Sequence, residues 1–278
     1  MLPIISPKQL KELSPENLII LDVRTGKDSY QNYLNKHLKE ARFVDLDKDL
    51  AETNENAAYG GRHPLPKIQK FSETVSYLGI SEDSHIIIYD DKNGANAAAR
   101  AWWMLKSFGL ENVQVLDGGI QAAEKEGLEF SSGKETFEKS EIITKEHWLL
   151  PVSNLADVEN ELINESAIVI DVRDSYRYKG ESEPIDLVAG HIPGAINIPF
   201  SENLDKNGNF LKPEFLKEKY SKLLENKPEK LIIHCGSGVT ACHTILALAY
   251  AGFEIPNLYV GSWSEWSRRE GKEIAKVI

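Results

Sequence analysis

Lys230-Leu-Ile-Ile-His-Cys-Gly-Ser-Gly-Val-Thr-Ala-Cys-His-Thr-Ile-Leu-Ala-Leu-Ala-Tyr250 is the stretch whose reading decides the fold. The apolar run Leu231 to Ile233 delivers Cys235 onto a loop with Gly236 and Gly238, and a helical pattern of Val239, Ile245, Leu246 and Ala249 starts at once. That order is strand, tight loop, helix. A thiol at the head of such a loop faces several backbone N–H groups and the positive end of a helix dipole, and both favour the thiolate. A buried cysteine acting as a small hydrophobe is the bland alternative, but no core position needs two glycines beside it. Cysteine chemistry is therefore the leading expectation.

Working outward, the same blocks occur twice. Asn17-Leu-Ile-Ile-Leu-Asp-Val-Arg24 returns as Ser166-Ala-Ile-Val-Ile-Asp-Val-Arg173, and His85-Ile-Ile-Ile-Tyr-Asp90 returns as Lys230-Leu-Ile-Ile-His-Cys235. Asn112-Val-Gln-Val-Leu-Asp-Gly-Gly119 returns as Asn257-Leu-Tyr-Val-Gly-Ser262. Matched blocks in one order, half a chain apart, indicate a duplicated domain. In each copy β-branched runs alternate with helical patterns, Ala95 to Phe108 and Val239 to Ala251, as strands joined by helical crossovers do in a parallel sheet. The polar stretch Ser131 to Lys145 reads as a linker. The expected architecture is α/β, with domains at 1–130 and 146–278, each a mainly parallel sheet flanked by helices.

The 278 residues suffice for two cores, and 41% apolar with 27% charged residues is an ordinary globular balance. A net charge of −11 disfavours nucleic acid and anionic membranes, so an anionic substrate must meet local arginines. Two cysteines seven residues apart cannot build a disulfide framework. With no signal-peptide pattern and no apolar stretch of membrane-spanning length, the expected compartment is the cytoplasm. The histidines lack metal-ligand spacing, and no glycine-rich fingerprint follows a strand, so neither a metal nor an organic cofactor is expected.

Tandem Asp-Val-Arg blocks, the turn Gly190-His-Ile-Pro-Gly-Ala195, the cysteine loop and Gly261-Ser-Trp-Ser-Glu-Trp266 together resemble the rhodanese family of sulfurtransferases over nearly the whole chain. The loop Cys235-Gly-Ser-Gly-Val-Thr-Ala241 is similar to its mercaptopyruvate-using branch, whereas thiosulfate-preferring members usually carry basic residues directly after the cysteine. The resemblance implies two rhodanese-like domains. It also implies transfer of sulfur from a small anionic donor, 3-mercaptopyruvate or thiosulfate, through a Cys235 persulfide to cyanide or to a thiol or thioredoxin-like acceptor. A carrier or redox-sensing module without small-molecule turnover is the alternative, and it would share the loop but need no donor clamp. A cysteine phosphatase would need an arginine where Ala241 stands.

On the same resemblance, the first repeat is inert, because Asp90 replaces the cysteine and His37-Leu-Lys-Glu-Ala41 replaces the His-Ile-Pro-Gly-Ala turn. Ser237 is expected in a relay with His37 and Asp22; against this, Asp22 could pin its own turn as Asp171 does, with His37 a remnant of a turn. The loop residues Gly236, Gly238, Val239 and Thr240 would line the substrate site and hold the persulfide. Arg177 corresponds to the family's donor-binding arginine, and a guanidinium suits carboxylate or thiosulfate oxygens. The second arginine usual after Glu-Pro is absent, since Ile185 follows Glu183-Pro184. Arg62, in Gly60-Gly-Arg-His-Pro-Leu-Pro66 of the first repeat, is the candidate substitute; a plain surface arginine is the competing reading. Cys242, on the helix, reads as a packed thiol.

Overall fold

The apolar runs seen in the sequence become strands, and the patterns between them become crossover helices. In the first repeat the chain forms β1 (Ile4–Ile5), α1 (Pro7–Lys11), β2 (Leu18–Asp22), α2 (Ser29–Asn35), β3 (His37–Leu38), β4 (Arg42–Phe43), α3 (Leu46–Asp49), α4 (Ile68–Tyr77), β5 (His85–Tyr89), α5 (Ala97–Ser107), β6 (Val113–Leu116), α6 (Gly119–Glu126) and β7 (Phe130–Ser131). The second forms β8 (Val152–Ser153), α7 (Leu155–Ile163), β9 (Ala167–Asp171), α8 (Ser175–Lys179), β10 (Ile196–Asn197), α9 (Pro213–Leu223), β11 (Lys230–His234), α10 (Ala241–Tyr250), β12 (Asn257–Tyr259) and α11 (Ser262–Trp266). The computed structural model describes residues 1–225, 228 and 230–277. Residues 132–151 contain no helix or strand.

Each repeat builds one five-stranded sheet with every neighbour parallel. The first runs β1-β6-β5-β2-β4, and the second, read from β8, runs β8-β12-β11-β9-β10. The order is the same, as duplication requires. Even the helix starts repeat: Ser6 with Gln9 and Asn154 with Asp157 close reciprocal capping boxes on α1 and α7. Asp22 lies opposite Tyr89 across β2 and β5, and Asp171 opposite His234 across β9 and β11. The loops that matter therefore leave the carboxyl ends of the central strands β5 and β11, where open parallel sheets present ligand-binding residues.

The residues divide into two compact units. The first comprises Met1–Glu52, Pro66–Leu149 and Lys206–Phe210; the second comprises Thr53–Leu65, Leu150–Asp205 and Leu211–Ile278. Arg62, expected on a loop of the first domain, thus packs within the second unit. Inside the first unit Trp102 and Trp103 on α5 are fully buried, and inside the second α10 is buried along almost its whole length with Trp263 beside its sheet. Among the described residues no helix is long and apolar enough to cross a membrane.

The Asp-Val-Arg blocks prove to be internal staples. Asp22 receives Arg24 Nε at 2.9 Å and Nη2 at 2.6 Å, and also the Tyr89 hydroxyl at 2.6 Å. Asp171 receives Arg173 in the same two-pronged way, and Arg173 continues to the Gly190 carbonyl at 2.7 Å and lies over the Trp263 ring. The paired charges are buried in both copies, which the bidentate geometry permits.

Candidate active site

The nucleophile loop follows β11 and is braced by α11. The Cys235 N–H donates to Ser262 Oγ at 3.2 Å, while the Trp263 and Ser264 N–H groups donate to the carbonyls of Cys235 at 3.0 Å and Gly236 at 2.9 Å. Gly238 has φ +73°, and a Cβ there would lie 2.6 Å from the Val260 carbonyl oxygen, so only glycine fits. Cys235 is 3% exposed and is a free thiol. Cys242 is also free; its Sγ lies 3.3 Å from the Gly238 carbonyl, packed under the loop.

The first unit shows what this loop is built to hold. Asp90, at the position of Cys235, accepts the N–H groups of Lys92, Gly94, Asn96 and Ala98 at 2.8–3.1 Å. Burial nonetheless outweighs these four donors and raises the Asp90 carboxyl above its ordinary value. The loop is a nest of amides occupied by its own carboxylate. A carboxylate cannot accept sulfane sulfur.

Beside Cys235, within the second unit, cations gather. A Cβ added to Gly236 would lie 3.1 Å from Arg62 Nη2, 3.5 Å from Arg177 Nη2 and 3.5 Å from Asp186 Oδ2, so two guanidiniums and one carboxylate converge on the residue after the nucleophile. Arg177 is clamped by Glu183 at 2.6 Å and reaches Asp186 at 3.6 Å. Burial alone would lower the Arg177 guanidinium, but Glu183, then Asp186 and Cys235, raise it above its ordinary value. Arg62 donates to Asp186 through Nε at 3.1 Å and Nη2 at 3.4 Å. Its loop is pinned to α11: the Gly60 N–H donates to Glu265 Oε1 at 2.8 Å, the Arg62 N–H to Ser264 Oγ at 3.1 Å, and Gly61, at φ +79°, comes so close to Gly261 that a Cβ would lie 2.4 Å from its carbonyl oxygen. Ile185, standing where a second arginine was expected, is 55% exposed.

Burial pushes the Glu183 carboxyl up, but the Arg177 hydrogen bond and the N–H groups of Asp186 and Ile185 outweigh it, leaving Glu183 below its ordinary value. A carboxylate depressed on folding adds stability that is full above its unfolded value of about 4.3 and is lost as pH falls towards the folded one. Thermal unfolding followed from pH 7 to pH 3 should therefore show a steep loss of stability below about pH 4.5 that is reduced in Glu183→Gln. An unchanged acid limb in that variant would show that Glu183 is not a linked group.

Ser237, His37 and Asp22, expected to form a relay, each have other partners within their own unit. Ser237 Oγ lies 2.8 Å from Nδ1 of His63, the residue after Arg62. His37 is fully buried in the first unit, its Nδ1 on the Tyr33 carbonyl at 2.8 Å, its Nε2 on Glu135 at 3.1 Å and its ring stacked on Tyr33. The second repeat gives the physical reason. His191 of the His-Ile-Pro-Gly-Ala turn stacks on Tyr178 and meets the Tyr178 carbonyl at 2.7 Å, as His37 does with Tyr33. Both histidines fasten a helix to the turn that follows it, and Asp22, like Asp171, is spent on its own arginine. His63, Glu183, Asp186 and Arg268 were not singled out by sequence; the signal for His63 was its place in the Gly-Gly-Arg-His-Pro run that had marked Arg62.

A family model described as "Rhodanese-like domain" matches residues 6–126 and again residues 154–269. A Pseudomonas aeruginosa protein named probable 3-mercaptopyruvate sulfurtransferase is 40% identical over 260 residues, covering 91% of this chain and 90% of that one. A Mycobacterium tuberculosis protein, provisionally named a thiosulfate sulfurtransferase, is 37% identical over 251 residues, covering 89% and 87%. Among solved structures, SseA from Escherichia coli, presented as a 3-mercaptopyruvate sulfotransferase with the rhodanese fold, matches with a TM-score of 0.80 at 30% identity over 95% of this chain and 100% of that one.

Proposed function

This chain belongs to the rhodanese family and is a sulfurtransferase, and from that premise we propose that it moves sulfur from 3-mercaptopyruvate, with thiosulfate as a second donor, through a Cys235 persulfide to a thiol or cyanide acceptor. The observation that carries the reading is the convergence of Arg62 and Arg177 on Gly236, one residue from a free thiol. With mercaptopyruvate, the Cys235 thiolate attacks the mercapto sulfur, the C–S bond breaks, and its electron pair leaves on carbon as the pyruvate enolate. The enolate then takes a proton, delivered from the Ser237 hydroxyl with His63 restoring it, and pyruvate departs. With thiosulfate the S–S bond breaks and sulfite departs. An acceptor thiolate, on a small thiol or a thioredoxin-like protein, next attacks the outer persulfide sulfur and returns Cys235 to the thiolate. The amides of Gly236, Gly238, Val239 and Thr240 hold the persulfide anion in this reading, whereas in the first unit a different set of loop positions, Lys92, Gly94, Asn96 and Ala98, holds the Asp90 carboxylate. A reducing compartment, the cytoplasm, suits a cycle that keeps both cysteines as thiols. A carrier without turnover has no use for two guanidiniums at the loop.

Incubation with mercaptopyruvate and dithiothreitol tests the reading: pyruvate and sulfide should form in equal amounts over many turnovers. Release of neither, with a correctly folded protein, would sink it. The clamp gives a finer test. Arg62→Ala and Arg177→Ala should each lower kcat/KM for mercaptopyruvate by roughly ten- to a hundredfold, the loss of one charged hydrogen bond of about 1.5–3 kcal/mol. Ile185→Arg placed in the Arg62→Ala background should restore part of that loss. If Arg62→Ala changes nothing while Arg177→Ala cripples both donors, a single arginine serves as the clamp.

A further inference from the structure

The arginines around the loop share one partner. Asp186 has a fully buried carboxylate side chain that receives Arg62 at 3.1 Å, Arg268 at 2.8 Å and, at 3.6 Å, Arg177. Arg268 is itself held in place, its Nη1 also donating to the Ser264 carbonyl at 2.9 Å. The two oxygens of Asp186 face different ways: Oδ1 meets Arg268 and Arg62 Nε, while Oδ2 meets Arg177 and Arg62 Nη2 and would stand 3.5 Å from a Cβ on Gly236. Asp186 thus adds its negative charge between the arginines of the cationic site, apart from Glu183, which pairs with Arg177 and Arg173.

Resting on the sulfurtransferase reading, we propose that Asp186 is a specificity-determining residue, whose buried carboxylate tunes the charge of the Arg62–Arg177 clamp towards donors of one negative charge and against donors of two. The argument is arithmetic. Coulomb energy scales with the charge on the donor, so any fixed charge near the site acts on a dianion twice as strongly as on a monoanion in the same place. At neutral pH mercaptopyruvate carries its carboxylate charge alone, whereas thiosulfate carries two. The Asp186 carboxylate therefore penalises thiosulfate more than mercaptopyruvate, and it does so beside a loop whose Gly236 and Ser237 add no cation of their own. Arg268 acts in the opposite sense, because it neutralises Asp186 from the side away from Gly236. Burial keeps these effects from being screened as surface charges are.

The experiment reads the ratio of kcat/KM for thiosulfate to kcat/KM for mercaptopyruvate. Asp186→Asn keeps the size of the side chain and removes its charge, and should raise the ratio about five- to tenfold, between the effect of an exposed ion pair and that of a close buried one. Arg268→Gln should lower it, and this opposite movement keeps the test decisive if Asp186→Asn folds poorly. Glu214→Gln, which removes a carboxylate on α9, should leave the ratio where it is. A ratio unchanged in both Asp186→Asn and Arg268→Gln, in proteins that still gain one sulfur on Cys235, overturns this inference and leaves the sulfurtransferase reading standing. If the wild type gains no sulfur from either donor, the reading fails and the inference with it. A fall in both donors by the same factor would assign Asp186 to holding the arginines in place and likewise overturn the charge argument.

Discussion

Cys235→Ser should abolish sulfur transfer from either donor, a loss of at least about 10⁴-fold, because the hydroxyl can neither attack sulfur at neutral pH nor carry a persulfide. The fold should remain. Serine is nearly isosteric, and the backbone of residue 235 is fixed by Ser262 and Trp263 and not by its own side chain. Denaturation midpoints within about 1 kcal/mol of the wild type would verify that. Intact-mass spectrometry after donor treatment gives the direct readout: one added sulfur on the wild type and none on Cys235→Ser. Cys242→Ser should keep the added sulfur and most of the activity, since Cys242 lies on α10 with its Sγ against the Gly238 carbonyl, a contact that a hydroxyl can also make. A sulfur on Cys235→Ser, or its loss in Cys242→Ser, would reassign the nucleophile.

What the sequence revealed of this site was its local part. Strand, glycine loop and helix lie within one stretch of chain, so the apolar run and the helical pattern suffice to place Cys235 at the carboxyl end of a central strand. The repeat was legible for the same reason, and it marked Asp90 as a residue of the wrong chemistry in the equivalent loop. The rest depends on which distant side chain arrives, which periodicity does not encode. Arg62 and His63 approach Asp186 and Ser237 from more than a hundred residues away, and they do so because Thr53–Leu65 packs in the second unit against α11 through Glu265 and Ser264. Asp22 and His37 were attractive because Asp and His in one repeat, with Ser in the other, match a familiar trio of residue types. The second copy uses Asp171 and His191 in the same bonds, a likeness that the residue types alone do not carry. Glu183 and Asp186 escaped notice because a counter-ion has no sequence mark; it is recognised by the arginines that gather on it.

The second large effect follows from the contact between Ser237 and His63. Ser237→Ala and His63→Ala should each lower kcat/KM for mercaptopyruvate by about 10²-fold or more, the usual size of a lost general acid, while turnover of thiosulfate falls only a fewfold. The difference arises from the leaving groups. Pyruvate leaves first as an enolate, a strong base whose formation is eased when Ser237 supplies a proton and His63, 2.8 Å away, replaces it. Sulfite leaves as a stable anion at neutral pH and needs no proton in that step, so the same hydroxyl has little to give it. The mutants should still gain one sulfur from thiosulfate by intact mass, which separates a proton-transfer fault from a collapsed loop. His37→Asn supplies the contrast: it removes a ring stacked on Tyr33 and lowers stability, yet the ratio of the two donor activities in its folded fraction should match the wild type. If Ser237→Ala and His63→Ala slow both donors alike, the pair serves only to hold the loop. If His37→Asn alters the donor ratio and His63→Ala does not, His63 is not the residue that restores the Ser237 proton.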